Sequence, residues 1–161
     1  MAAAQREGRR TLLSINEDVE VLRRIPMFAK VEPAKLKLLA FTSERVTYDM
    51  GQELCHQGDM ADAAYIIVEG VVDVIIDTPT GPVTVAQLGK DALVGEIAVI
   101  CEVPRVATVK AVTRVTTLKI AKDLFLRMLT DFPVMALEVM RDLGRKLEHA
   151  NEMVRQTRAR A

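Results

Sequence analysis

The spacing of apolar residues changes character twice along the chain. Residues 1–13 carry no sustained period and read as a flexible tail. Ser14 and Glu17 then form an S-x-x-E capping box ahead of Val19, Val21 and Leu22, which predicts a short helix to about Arg24 that Pro26 ends. Pro33 suits a first helical position and predicts a second helix over 34–42, with Leu36, Leu38, Leu39 and Phe41 on its packed face. From Glu44 short β-rich runs take over, at 45–48, 53–55, 64–68, 71–77, 83–88, 107–111 and 115–120. Gly51, Gly58-Asp59, Gly70, the Pro79–Pro82 stretch and Gly89 punctuate them. Seven or eight short strands at this spacing predict a sandwich or barrel of the jelly-roll kind. Asp123 can then cap a short helix to about Leu129, and Pro133 can open a long one towards Arg158. The expected fold class is mainly β with flanking α. It is an eight-stranded antiparallel β-roll over 44–121, with short N-terminal helices over 14–43 and C-terminal helices over 122–160, in a single domain over 14–160.

Composition narrows the chemistry. Half of the 161 residues are apolar, enough for a real core, but only 4% are aromatic and tryptophan is absent. A ligand site is therefore expected to use aliphatic side chains, backbone and charge, not stacked rings. Twenty-two basic residues balance 22 acidic ones, which argues against nucleic acid, because duplex binding needs uncompensated cations on phosphates. The longest unbroken apolar run, Ala63 to Val68, falls far short of the ~20 residues of a membrane span. The first sixteen residues lack a secretory apolar stretch, and Cys55 and Cys101 form neither a CxxC pair nor a disulfide framework. A cytoplasmic setting is expected, with both cysteines as buried small hydrophobes. A metal-dependent enzyme on a jelly roll needs a cluster of histidines and carboxylates. His56 and His149 lie far apart and in no H-x-H or H-E-x-x-H pattern, so no metal site is expected. Ser14 and Ser43 sit at helix ends in this reading, no nucleophile–base pair appears, and no catalytic residue or enzyme activity is expected.

The informative stretch is 94–109, VGEIAVICEVPRVATV. Gly95 can adopt backbone angles that other residues avoid and lets a ligand approach the main chain. The helix-compatible run from Glu96 to Ile100 starts with unpaired N–H groups, which favour an anion. Arg105 returns from the Pro104 loop with a permanently charged planar fork suited to phosphate oxygens. Ala107 leaves its own N–H reachable. Glu96 fits a ligand that carries one phosphate monoanion and one free hydroxyl. In a 3′,5′-cyclic nucleotide that hydroxyl is the ribose 2′-OH, and a carboxylate accepts from it.

These residues resemble the phosphate-binding cassette of the cyclic nucleotide-binding domain family, which includes sensor domains of the catabolite activator protein, cyclic-nucleotide-dependent kinases and nucleotide-gated channels. The family pattern reads roughly G-E-[IL]-A, a spacer, then R-[STA]-A-[TS]-V. Gly95, Glu96, Ile97, Ala98, Arg105, Ala107, Thr108 and Val109 stand at those positions. Gly51 with Glu53, Gln57-Gly58-Asp59, the run from Tyr65 to Gly70, and Pro133 match other landmarks, over about Leu22 to Ala150. The resemblance implies a ligand-binding set of Val94, Gly95, Glu96, Ile97, Ala98, Arg105, Val106 and Ala107, with Val74 from the 71–77 strand. Val106 departs from the Ser or Thr many members carry there. Without that hydroxyl cAMP is favoured, and cGMP stays possible.

The last helix carries Val134, Leu137, Met140, Leu143, Leu147, Ala150 and Val154 at spacings of three and four. The first half is expected to pack on the roll. The surplus suggests a lid over the base, a homodimer seam, or both. The resemblance makes 143–151 the lid, with Leu147 and Ala150 as apolar cap and Lys146 reaching towards the purine edge. Gly144 is a plausible hinge there. The chain ends where a helix-turn-helix would follow in the activator lineage, so direct DNA binding is not expected. The function expected is a stand-alone cyclic-nucleotide sensor and regulatory module for signal transduction through movement of this helix towards an unknown downstream protein. The alternative is an interaction or scaffold protein that keeps the roll without a ligand.

Overall fold

The computed structural model describes residues 5–6 and 12–159; the rest of the tail expected over 1–13 lies outside the described residues. The strands are β1 (Gln5–Arg6), β2 (Glu44–Tyr48), β3 (Glu53–Cys55), β4 (Ala63–Glu69), β5 (Val72–Thr78), β6 (Gly81–Leu88), β7 (Leu93–Val94), β8 (Thr108–Ala111) and β9 (Val115–Ala121). The helices are α1 (Leu12–Arg24), α2 (Pro33–Thr42), α3 (Glu96–Cys101), α4 (Lys122–Asp131) and α5 (Pro133–Ala159), with a 3₁₀ turn at Pro26–Phe28. β2 to β9 form the eight-stranded antiparallel roll. One sheet runs β1-β2-β9-β4-β7 and the other β3-β8-β5-β6.

The apolar run at Ala63 to Val68 has its explanation in β4. A strand alternates its side chains between two faces, and both faces of β4 are covered. Ala64 and Ile66 face a core shared with Leu118, Ile120, Leu22, Phe28, Phe125 and Met135, between sheet and helices. Ala63, Tyr65 and Ile67 face a second core inside the roll, with Val72, Val109 and Val115. β4 is thus the wall common to two cores, and a strand buried on both sides reads as continuously apolar. At its end Gly70 takes φ 98°, and a Cβ there would lie 2.3 Å from the Arg114 carbonyl oxygen, so the turn into β5 admits only glycine.

Five expectations are corrected. Gln5–Arg6 pair with β2, and α1 begins at Leu12, so Ser14 lies inside the helix instead of capping it. Ala121 is the N-cap of α4, which leaves Asp123 in the first turn, where its charge still complements the helix dipole. On α2, Leu36, Leu39 and Ala40 are buried while Leu38 and Phe41 are exposed. On α5 the buried residues are Met135 and Val139, with Leu143 packed behind them, whereas Val134, Leu137, Met140, Leu147 and Val154 are exposed. Both helices carry two apolar stripes, and the one turned to the core between helices and sheet is buried. Cys101 is also exposed, against expectation.

In the β5–β6 hairpin, Val74 pairs with Ala86 and Ile75 with Thr84, so Val85 is an extra, bulged residue. Its carbonyl oxygen meets His149 Nε2 at 3.3 Å. α5 runs unbroken through Gly144 and so lies along the roll beside β6 and β7.

Candidate functional site

Stretch 94–109 folds as the end of β7, α3, a loop and β8. Gly95 is the N-cap of α3 at φ 78°, a left-handed conformation, and an added Cβ would lie 2.6 Å from Arg105 Nη1. Glycine is needed there for backbone angle and for close approach alike. Glu102 ends α3, itself left-handed at φ 53°, and turns the chain back towards Arg105. The Gln57-Gly58-Asp59 turn then fixes the arginine backbone: Arg105 N–H donates to the Asp59 carbonyl at 2.8 Å, and Gly58 N–H donates to the Arg105 carbonyl at 2.9 Å.

The Arg105 side chain is drawn inside, only 4% exposed. Nη1 donates to the Gly95 carbonyl at 2.8 Å and Nη2 to the Ala63 carbonyl at 2.6 Å. Asp62 Oδ1 lies 3.5 Å from Nη2, but Asp62 is 70% exposed and also pairs with Lys119 at 3.3 Å. The buried Nε has no hydrogen-bond partner among the described residues. Carbonyls orient a cation without neutralising it, and a solvent-facing carboxylate divided between two cations neutralises it only in part. A buried guanidinium with an unspent donor is suited to an anion.

Glu96, 1% exposed, is held differently. Lys146 of α5 places Nζ 2.5 Å from Glu96 Oε1 and donates to the Leu93 carbonyl at 2.7 Å. Asp142, one turn earlier on α5, lies 3.1 Å from the same ammonium. Lys146 is therefore turned into the cassette. Leu147 is 63% exposed and Ala150 is exposed as well, so neither is brought against the cassette here. Val94, Ala98 and Ala107 are buried around it, Ile97 is half-buried, and Val106 stands on the rim at 48% exposure. Val74 pairs with Val109 of β8, two residues beyond Ala107.

A cavity of about 440 Å³ opens beside Arg105, within the range of small-molecule sites. Tyr48, Leu54, Cys55, Tyr65 and Lys119 line it with Arg105; Glu96 does not. Two of its lining residues are the chain's tyrosines. Tyr65 donates to the Leu54 carbonyl at 3.1 Å, and burial pushes its phenol up to about 12. Burial raises the Cys55 thiol more than nearby Arg105 lowers it, which keeps it protonated and unreactive. Glu53 Oε2, 2.9 Å from His56 Nδ1, raises that imidazole above its ordinary value. Asp62, Tyr65 and Lys119 stand outside the ligand-binding set expected from the sequence. The one available signal was an acid at the head of an apolar strand.

Residues 45–132, more than half of the chain, match the family model described as "Cyclic nucleotide-binding domain". The chain belongs to the cyclic nucleotide-binding domain family. Its likeness to the cAMP-dependent protein kinase type II regulatory subunit of Drosophila melanogaster is 37% identity over 92 residues, 57% of this chain and 24% of that one. A solved cyclic nucleotide-binding-like protein from Brucella abortus is 33% identical, with TM-score 0.60, covering 71% of this chain and 98% of that one. A regulatory subunit of a cAMP-independent protein kinase A from Trypanosoma cruzi, bound to guanosine, has TM-score 0.72 at 25% identity, over 81% of this chain and 46% of that one. This cyclic nucleotide-binding domain spans less than two thirds of the length of the first curated relatives it matches. The cassette lies wholly within the matched residues, whereas α5 begins just beyond them. Among the described residues no helix of the domain is long and apolar enough to cross a membrane, and no group of three or more His, Cys, Asp or Glu is placed to hold a metal.

Proposed function

We propose that the domain is a cytoplasmic, non-catalytic cyclic-nucleotide sensor that favours cAMP and signals through α5 to a downstream protein. The observation that carries this reading is Arg105, buried, oriented by two carbonyls, and incompletely neutralised. In this reading the cyclic phosphate meets Arg105, the Ala107 N–H and the start of α3, and Glu96 accepts from the 2′-OH. Val106 offers the rim a methyl surface and no hydroxyl, which favours adenine over guanine. The exposed Leu147 and Ala150 are the apolar surface of α5 left to cover a base.

Isothermal calorimetry with cAMP tests the reading. Arg105→Ala is expected to keep the fold by circular dichroism and to cost roughly 2–5 kcal/mol of binding, on the order of 30- to several-thousand-fold. Near-wild-type affinity in this variant would refute the phosphate assignment. The second reading, a roll that serves as an interaction scaffold, draws on the internal pairing of the cassette: the η nitrogens of Arg105 and one oxygen of Glu96 already have partners within the chain. The guanosine-bound Trypanosoma cruzi protein shows that a structural neighbour can hold a nucleoside. Titration with cAMP, cGMP and guanosine side by side separates the readings.

A further inference from the structure

We propose that Lys146 is the positioning residue of ribose recognition: its ammonium fixes Glu96 through Oε1 and turns Oε2 to the 2′-OH, so that α5 and the nucleotide share one carboxylate. The inference rests on the sensor reading above and goes beyond it by joining the ribose to the helix.

A carboxylate this deeply buried is costly unless a counter-ion and hydrogen bonds surround it. Arg105 does not serve, since its η nitrogens point at the carbonyls of Gly95 and Ala63. Lys146 does, at 2.5 Å. An ammonium has three donors; this one donates to Glu96 Oε1 and to the Leu93 carbonyl of β7 at 2.7 Å, and it also lies 3.1 Å from the carboxylate of Asp142 as an ion pair. With an anchor on its own helix, one on the strand before the cassette and one in the cassette, Nζ is fixed in direction and fixes the carboxylate in turn. A ribose hydroxyl is neutral and cannot replace the ammonium as counter-ion. The ligand therefore adds to the pair instead of displacing it. A docked α5 and a well-aimed Glu96 become one state. Lys146 lies on α5, beyond the residues that match the family model.

Calorimetry of the wild type, Lys146→Met, Lys146→Arg and Glu96→Gln with cAMP and 2′-deoxy-cAMP tests it. The wild type is expected to prefer cAMP by roughly 10- to 150-fold, the worth of a hydrogen bond to a charged group. Lys146→Met should lose about tenfold or more for cAMP and little for 2′-deoxy-cAMP, so that the ratio collapses. Lys146→Arg should restore most of the ratio. The double variant with Glu96→Gln should lose less than the two single losses combined. A rise in cAMP affinity in Lys146→Met would overturn the proposal, because the ammonium would then be a competitor for Glu96. So would a parallel loss for both nucleotides with the ratio intact, which is helix docking alone. If Lys146→Met fails to fold, Lys146→Gln, which keeps donors without charge, gives the same comparison. A wild type that binds neither nucleotide would bring down the sensor reading and this inference together, whereas normal binding with an unmoved ratio brings down the inference only.

Discussion

Gly95, Glu96 and Arg105 meet because each has a side-chain property, or lacks a side chain, in a way no other residue type reproduces at its place. Gly95 supplies the left-handed angle and the room for the guanidinium, and its own carbonyl then orients Arg105. Gly95→Ala is expected to cost roughly 1–3 kcal/mol of stability for the forced positive φ. The same methyl group pushes Nη1 aside, so cAMP affinity should fall at least about tenfold, a loss of roughly 1.4 kcal/mol. Urea unfolding and calorimetry read the two effects separately, and intact affinity would show that Gly95 does not hold the arginine. These three residues were legible in the sequence because charge, shape and spacing are written in residue types. The carbonyls of Gly95, Ala63 and Leu93 were not, because any residue supplies a peptide carbonyl and only the folded chain decides which one points inward. The contact of Lys146 with Glu96 was not legible, since a lysine stem reaches either way from one helical position.

At the scale of elements, packing between helix and sheet decides what periodicity leaves open. α2 and α5 each present two apolar stripes of acceptable spacing, and the sequence does not say which one turns to the shared core. β7, two residues long, is too short for any pattern to reveal. β4 is the opposite case, since its unbroken apolar run follows directly from burial on both faces. One polar tie also joins elements distant in sequence: Arg45 Nη1 of β2 donates to the buried Asp18 of α1 at 2.7 Å. Arg45→Met removes this guanidinium from a fully buried carboxylate and should destabilise the domain by at least about 1 kcal/mol. The shift of the urea midpoint measures it, and a loss below about 1 kcal/mol would class the pair with ordinary surface bridges.

For the whole molecule, two cores on either side of β4 make the roll and its helices one cooperative body, with the cassette at their margin and α5 laid across it. The outward stripe of α5 places Met140, Leu147 and Val154 seven residues apart, the repeat of a coiled-coil seam. A second copy of the chain is the expected occupant of this stripe while Leu147 is not covering a base. Sedimentation velocity should show a monomer–dimer equilibrium that Val154→Glu shifts to monomer while cassette binding persists. A wild type that sediments as a monomer across a wide concentration range would exclude the seam.

The bulge at Val85 adds a consequence for the solution behaviour of the chain. β6 is the outermost strand of its sheet, and an open outer strand is a template on which another chain can add. Pro82, opposite Asp77, already removes one backbone donor from this hairpin, and the bulge bends the strand away from flatness. His149 then occupies the carbonyl that the bulge turns outward. The final helix is therefore also a guard on an exposed rim: if α5 moves as the sensor reading proposes, the same motion uncovers an edge where strands of neighbouring molecules can join.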